Sequence, residues 1–262
     1  LGYSAALLLL VISTGLRASA QADAAEVDAN PGRPTVSTPA ALTPQGYIQF
    51  ESGLLGAEAS GEFSNRTGVE EVVKFSPWKK LEFLVQTEPL AYADIGNAII
   101  AQPGEVFGGL QTVLLGGDPH KLTLAVSYFR RFYASPAPEL DMGTNRQSAL
   151  LLLSFEFAKF HVDTNGIVTE QITDLGGVHR AQFGQTLSIS HELPHKFGMS
   201  GEVWHFTQPL LNGHAAGLLL APSYSPKPNL VFDGGFNRGL TSTSTRWELF
   251  VGFTYLLPKK LL

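Results

Sequence analysis

Thr245-Arg246-Trp247-Glu248-Leu249-Phe250-Val251-Gly252-Phe253-Thr254-Tyr255-Leu256-Leu257 is the stretch that decides the fold. Read with a period of two, one face carries Trp247, Leu249, Val251, Phe253 and Tyr255, apolar throughout with aromatics at both ends. The other face carries Arg246, Glu248, Phe250, Gly252 and Thr254. A tilted strand of about 10 residues is long enough to cross a bilayer. Aromatics at both ends of its apolar face suit two headgroup layers. A strand of a soluble sandwich would alternate in the same way, so the rest of the chain has to decide.

The composition leans towards a membrane barrel. Only 16% of the 262 residues are charged and 27 are glycine. A helical membrane protein would need runs of about 18 or more apolar residues, and the sequence has none. A net charge of −5, with no basic stripe to neutralise phosphates, argues against a nucleic-acid partner. The absence of cysteine removes disulfides, thiolate nucleophiles and cysteine-ligated metals.

At the amino terminus, Ala5 to Ile12 forms an apolar core followed by Ala18-Ser19-Ala20. This is the pattern of a signal peptide over residues 1–20, cut after Ala20. The run opens on Leu1 with no basic residue ahead of the apolar core, so the true start is expected to lie upstream. Residues 21–45, rich in Ala, Pro and Thr, read as an extended leader unable to bury a core of its own. Residues 46–262 then form the barrel.

From Tyr47 onward the alternation recurs about twelve times. The expected strands are Tyr47–Gly56, Gly68–Phe75, Leu81–Leu90, Val106–Leu115, Lys121–Tyr133 and Arg146–Phe157. They continue with Lys159–Thr169, Ala181–Leu193, Lys196–Thr207, Gly213–Tyr224, Asn229–Asn237 and the closing strand. The links alternate in kind. Tight turns such as Ser76-Pro77-Trp78-Lys79-Lys80, Ala158-Lys159 and Pro194-His195 take turns with longer loops such as 134–145 and 170–180. Short turns on one rim and longer loops on the other is the outer-membrane arrangement. The fold class is therefore all-β, an antiparallel up-and-down transmembrane β-barrel of about twelve strands in a Gram-negative outer membrane.

A charge on the lipid face costs about 2–4 kcal/mol at the bilayer midplane. Glu82, Gln86, Glu88, Glu156, Glu202, Asp233, Arg246 and Glu248 all fall on the face opposite the apolar one, and are expected to line a polar lumen. No catalytic, cofactor-binding or metal-binding residue is assigned. His191-Glu192-Leu193-Pro194-His195 matches the zinc-protease pattern in letters, but that motif needs a helix, and Pro194 would break one. No Gly-x-Ser-x-Gly elbow is present, and strand geometry puts Ser188 and Ser190 on the face opposite His191. Arg130-Arg131, among Phe129, Phe132 and Tyr133, falls at the loop end of its strand. It suits either a lipid phosphate or a solvated rim.

Arg33-Pro34-Thr35-Val36-Ser37-Thr38-Pro39 and Leu42-Thr43-Pro44-Gln45-Gly46-Tyr47-Ile48-Gln49-Phe50-Glu51 resemble the opening of bacterial outer-membrane barrels labelled "putative MetA-pathway of phenol degradation". Asn229 to Leu240 and Trp247 to Leu257 resemble that family's end, so the likeness runs from about residue 30 to the terminus. The resemblance implies a transporter-like barrel for small organic, including aromatic, compounds, and it brings no catalytic motif. In one respect the chain departs from it. Outer-membrane barrels typically end on an aromatic that the assembly machinery reads, whereas this sequence continues past Tyr255 through Pro258-Lys259-Lys260 to Leu262.

The function expected is an outer-membrane channel for small organic molecules. Its partners are outer-membrane lipid, the assembly machinery and the solute itself. Two alternatives stand beside it. An exported soluble barrel with its apolar face inward would bind an apolar ligand, and a barrel-embedded hydrolase would react with serine- or metal-directed inhibitors.

Overall fold

The computed structural model describes residues 27–96, 98–137, 144–172 and 177–262. The signal peptide over 1–20, its cleavage site and the central part of the 134–145 loop lie outside the described residues. The described residues form thirteen strands: β1 (Ile48–Glu58), β2 (Asn65–Trp78), β3 (Leu81–Ile95), β4 (Ala98–Gln102), β5 (Val106–Leu115), β6 (Thr123–Tyr133) and β7 (Thr144–Phe157). The remainder are β8 (Phe160–Ile172), β9 (His179–Leu193), β10 (Phe197–Gln208), β11 (Gly213–Lys227), β12 (Leu230–Gly239) and β13 (Trp247–Leu256). Among the described residues no helix is long and apolar enough to cross a membrane.

Each strand pairs antiparallel with its neighbours, and β1 pairs with both β2 and β13. That seam, running from Gln49 opposite Leu256 to Glu58 opposite Trp247, closes the sheet into a barrel. β4 stands outside the ring. It extends only the far end of β3, while β5 pairs with the first half of β3 and carries the wall onward. Twelve strands therefore form the wall, in up-and-down order.

The period-two pattern explains why. In β13 Leu249 and Val251 are 64% and 57% exposed, while Thr254 on the other face is fully buried. In β6, Thr123, Ala125 and Ser127 point into the barrel and Tyr128 points out. Such strands satisfy their backbone groups across the sheet and turn a largely apolar belt outward. One rim holds the tight connections Lys79-Lys80, Ala158-Lys159, Pro194–Lys196 and Pro228-Asn229, together with the 116–122 turn. The other rim holds the longer ones and the β3–β4 extension.

The twelve wall strands fall where the alternation places them, several running one to five residues further at an end. β4 has no counterpart in the sequence reading. Ala98-Ile99-Ile100-Ala101-Gln102 is too short and too uniformly apolar to show a period. The larger difference concerns residues 30–43. These do not stand ahead of the barrel; they lie inside it.

Candidate functional site

Residues 30–43 have no regular secondary structure, so their backbone polar groups must find partners elsewhere. They find them on the inner wall. The segment begins at the short-turn rim, where the Ala29 N–H donates to the Pro228 carbonyl between β11 and β12. The Asn30 N–H donates to the Gln49 side chain on β1, and the Gly32 and Arg33 N–H groups donate to the Glu51 carboxylate at 2.9 and 3.2 Å. At mid-depth Val36 and Ser37 both donate their N–H groups to Glu202 on β10 at 2.7 Å, and the Ser37 hydroxyl adds a third bond. Thr38 exchanges two bonds with Asn165 on β8. The chain then descends. Ala40 donates to Ser154 on β7, Gln111 on β5 donates to the Pro39 carbonyl, and Thr43 donates to Glu82 on β3.

A segment that touches β1, β3, β5, β7, β8 and β10 in turn can only be inside the ring. It enters by the short-turn mouth, crests near Arg33–Thr38, and returns by the same mouth to start β1. Its packing is partly apolar. Ala40 joins Val113, Ala125 and Leu152 in a buried cluster, with Leu42 and Leu150 against it.

Arg33 is the charged anchor of the crest. Its guanidinium reaches Asp233 on β12 at 3.3 Å and Glu70 on β2 at 3.4 Å. Beside it, Lys74 pairs with Glu51 at 2.5 Å. Space for the guanidinium is made by Gly53 and Gly252, which face each other across the β1–β13 seam. A methyl at Gly53 would sit 2.5 Å from the guanidinium carbon, and one at Gly252 2.7 Å from Nε. The inner carboxylates are therefore not bare wall. Several are hydrogen-bond acceptors for one inserted chain.

On the β7–β12 side, the inserted segment leaves a cavity of about 1060 Å³ open at the short-turn mouth. Arg33, Asp163, Ser188, Ser190, Ser200 and Ser223 line it. His161 bridges Glu156 and Asp163 there, at 2.9 and 3.2 Å. Asp163 in turn accepts from Ser154, whose oxygen holds the Ala40 N–H. A hydrogen-bonded chain thus runs from the cavity wall to the inserted segment.

The residues singled out from the sequence occupy different places in this arrangement. Glu82, Glu202 and Asp233 are buried and hold the segment. Glu156 borders the cavity. Glu88 turns instead to Arg66 at 2.6 Å near the loop rim. Glu248 accepts from Asn237. Gln86 shares the parity of Glu82 and Leu84 yet is exposed. Arg246 lies one residue ahead of β13, exposed at the loop rim. Of the arginine pair, Arg131 turns inward to Glu105 at 2.9 Å, while Arg130 is exposed on the outer face.

The sequence reading missed Arg33, Glu51, Glu70, Lys74, Asn165 and Ser154. Two signals were available for them: small residues at Gly53 and Gly252 on the inner face, and the apolar Leu150 and Leu152 where a water-filled lumen would want polar groups. His191 lies two residues before the end of β9 on the outer side, its ring 5.0 Å from Phe160. His195 sits in the turn that follows, at φ 63°.

A closed twelve-strand antiparallel barrel with an apolar exterior and a polar, chain-filled interior has the architecture of an outer-membrane β-barrel. Solved structures bear the fold out. The chain is similar to an outer-membrane channel from Pseudomonas putida F1 designated COG4313, with a TM-score of 0.58 at 10% identity, covering 90% of this chain and 100% of that one. It is similar also to the NanC porin, with a TM-score of 0.53 at 9% identity, covering 81% and 99%. No protein-family model matches the sequence, and no curated protein matches it.

Proposed function

We propose that the protein is an outer-membrane channel for small organic molecules, including aromatic ones, held closed at rest by its own residues 30–43. One observation carries this reading. The barrel wall is apolar outside and polar inside, yet a single extended segment crosses the lumen at mid-depth, fastened by hydrogen bonds and ion pairs rather than by a covalent link. Such fastenings are individually modest and exchangeable for water. Passage then requires the crest at Arg33–Thr38 to move aside, with the cavity below it as the vestibule on the short-turn side. The solute class comes from the resemblance of 30–51 and 229–257 to the phenol-degradation barrels. The similarity to channels of known structure supports the transport role and the outer-membrane location.

The reading assigns no reaction to the protein. The alternative of a soluble barrel with its apolar face inward conflicts with the outward exposure of Leu249, Val251 and their neighbours on every wall strand.

The test is conductance and solute uptake by the reconstituted barrel, with and without residues 27–43. Low conductance in the full chain and a large rise in the truncated one are expected. Equal conductance in the two would remove the segment from any gating role, and no conductance in either would remove the channel reading.

A further inference from the structure

The basic residues of this chain are sorted by type between the two rims. Every tight turn carries a lysine: Lys79 and Lys80 between β2 and β3, Lys121 before β6, Lys159 between β7 and β8 and Lys196 between β9 and β10. Lys227 ends β11, and Lys259-Lys260 follow β13 at the same rim, where the Leu261 N–H donates to Gly46. All of these are exposed. The remaining lysine, Lys74, is buried inside with Glu51. The opposite rim holds no lysine; among the described residues its cations are arginines, such as Arg66, Arg131, Arg146 and Arg238.

The lysines form a complete ring, one or two per connection around the whole circumference. Little opposes them. Asp118 pairs with Lys121 at 3.1 Å, and among the described residues the other exposed acids beside the tight turns between wall strands are Glu156 near the end of β7 and Glu192 near the end of β9. Beside the ring stand outward aromatics, among them Trp78, Phe157, Phe160 and Phe197, the last with its ring 4.9 Å from that of Tyr224. Trp78 and Phe157 are 59% and 70% exposed.

We infer that this rim is a binding ring for the phosphate groups of anionic phospholipids in the leaflet that surrounds it. The all-round distribution is the deciding feature. A protein partner docks on one sector, and a solute enters by the axis, but a lipid leaflet meets every turn at once. Lysine suits the task. Its long apolar stem lies along the belt while the ammonium reaches the headgroup layer, and the aromatics hold the same level. The inference rests on the barrel standing in a bilayer, and it does not depend on whether the barrel conducts.

The test uses the full chain in vesicles of phosphatidylethanolamine and phosphatidylglycerol, with one or the other brominated near the headgroup to quench nearby tryptophan. Trp78 and Trp247 stand at opposite rims, so W247F reports the lysine rim and W78F the loop rim, with buried Trp204 as a constant background. At low salt, phosphatidylglycerol should be enriched about fivefold beside Trp78, and the enrichment should fade as salt is raised to about 1 M. Lys→Gln at 79, 80, 121, 159, 196, 227, 259 and 260 should bring the ratio to one while leaving the signal at Trp247 unchanged. Enrichment that survives these substitutions, or that survives high salt in the unsubstituted protein, would overturn the inference. So would an even distribution in the unsubstituted protein, since no other protein is present to occupy the ring. Retention of a heat-sensitive gel mobility shows that each variant has assembled, and its loss in all of them would instead refute the membrane barrel itself.

Discussion

Glu202 receives two backbone N–H groups and a hydroxyl from the inserted chain; its removal strands the two N–H groups in the lumen, while the Ser37 hydroxyl keeps Thr186 as an acceptor at 2.8 Å. Each buried unsatisfied donor costs about 1–3 kcal/mol, enough in sum to loosen the crest without touching the wall. Because the chain has no native cysteine, Thr38→Cys gives a single site for maleimide labelling. Labelling is expected to be slow in that variant alone and at least tenfold faster when Glu202→Ala is added. Arg33 offers a second handle. Gly53→Val fills the space its guanidinium occupies and should raise conductance while the barrel still assembles. Unchanged conductance would mean that the crest tolerates loss of its charged anchor. Glu71 is a different case. It has the parity opposite to Glu70 and Lys74, which both face inward, and so it points outward near the middle of β2. An outward charge there opposes the apolar belt, and Glu71→Val is predicted to raise the unfolding midpoint in denaturant by up to the equivalent of about 2 kcal/mol.

At the scale of the strand, the two-residue period made the wall legible from sequence. A one-residue slip would turn every side chain to the wrong face, and Val85 and Gln86 put this to the test. Val85 is exposed on the outer face and Gln86 has inward parity. Val85→Arg should abolish the folded, heat-sensitive gel band, and Gln86→Arg should leave it. Equal tolerance at both positions would refute the assignment of faces. What the sequence did not make legible is the segment at 30–43. It has no period, because its partners are not its neighbours but side chains on nine different strands. Its Pro and Thr content is also what an unstructured leader would show. Its traces lay in the wall instead, at Gly53 and Gly252, which admit Arg33, and at Leu152, which packs under Ala40. The carboxylates Glu82, Glu202 and Asp233 were placed on the inner face by parity alone. Their grip on another part of the chain could not be read from parity. β4 escaped for a simpler reason, since five residues are too few to display a period.

For the molecule as a whole, the inner wall is acidic in balance. Glu51, Glu82, Glu156, Asp163, Glu202 and Asp233 outnumber Arg33 and Lys74 in the half nearer the short-turn mouth. A conducting form is therefore expected to prefer cations weakly, and a reversal potential showing anion selectivity in a salt gradient would contradict this. Withdrawing the segment removes Arg33, so the preference should be stronger in the barrel lacking residues 27–43 than in the full chain. The path of that segment also settles what kind of motion is open to it. A chain running from rim to rim could leave the ring only by drawing a free end through it, past every contact in sequence. This one goes in and comes out by the same opening, with Ala29 and Gly46 both at the short-turn rim. Topologically it is a finger in a sleeve and not a thread through a needle, so a steady pull on the chain ahead of Ala29 would peel it away bond by bond, and it could slide home again without any part of the wall coming undone.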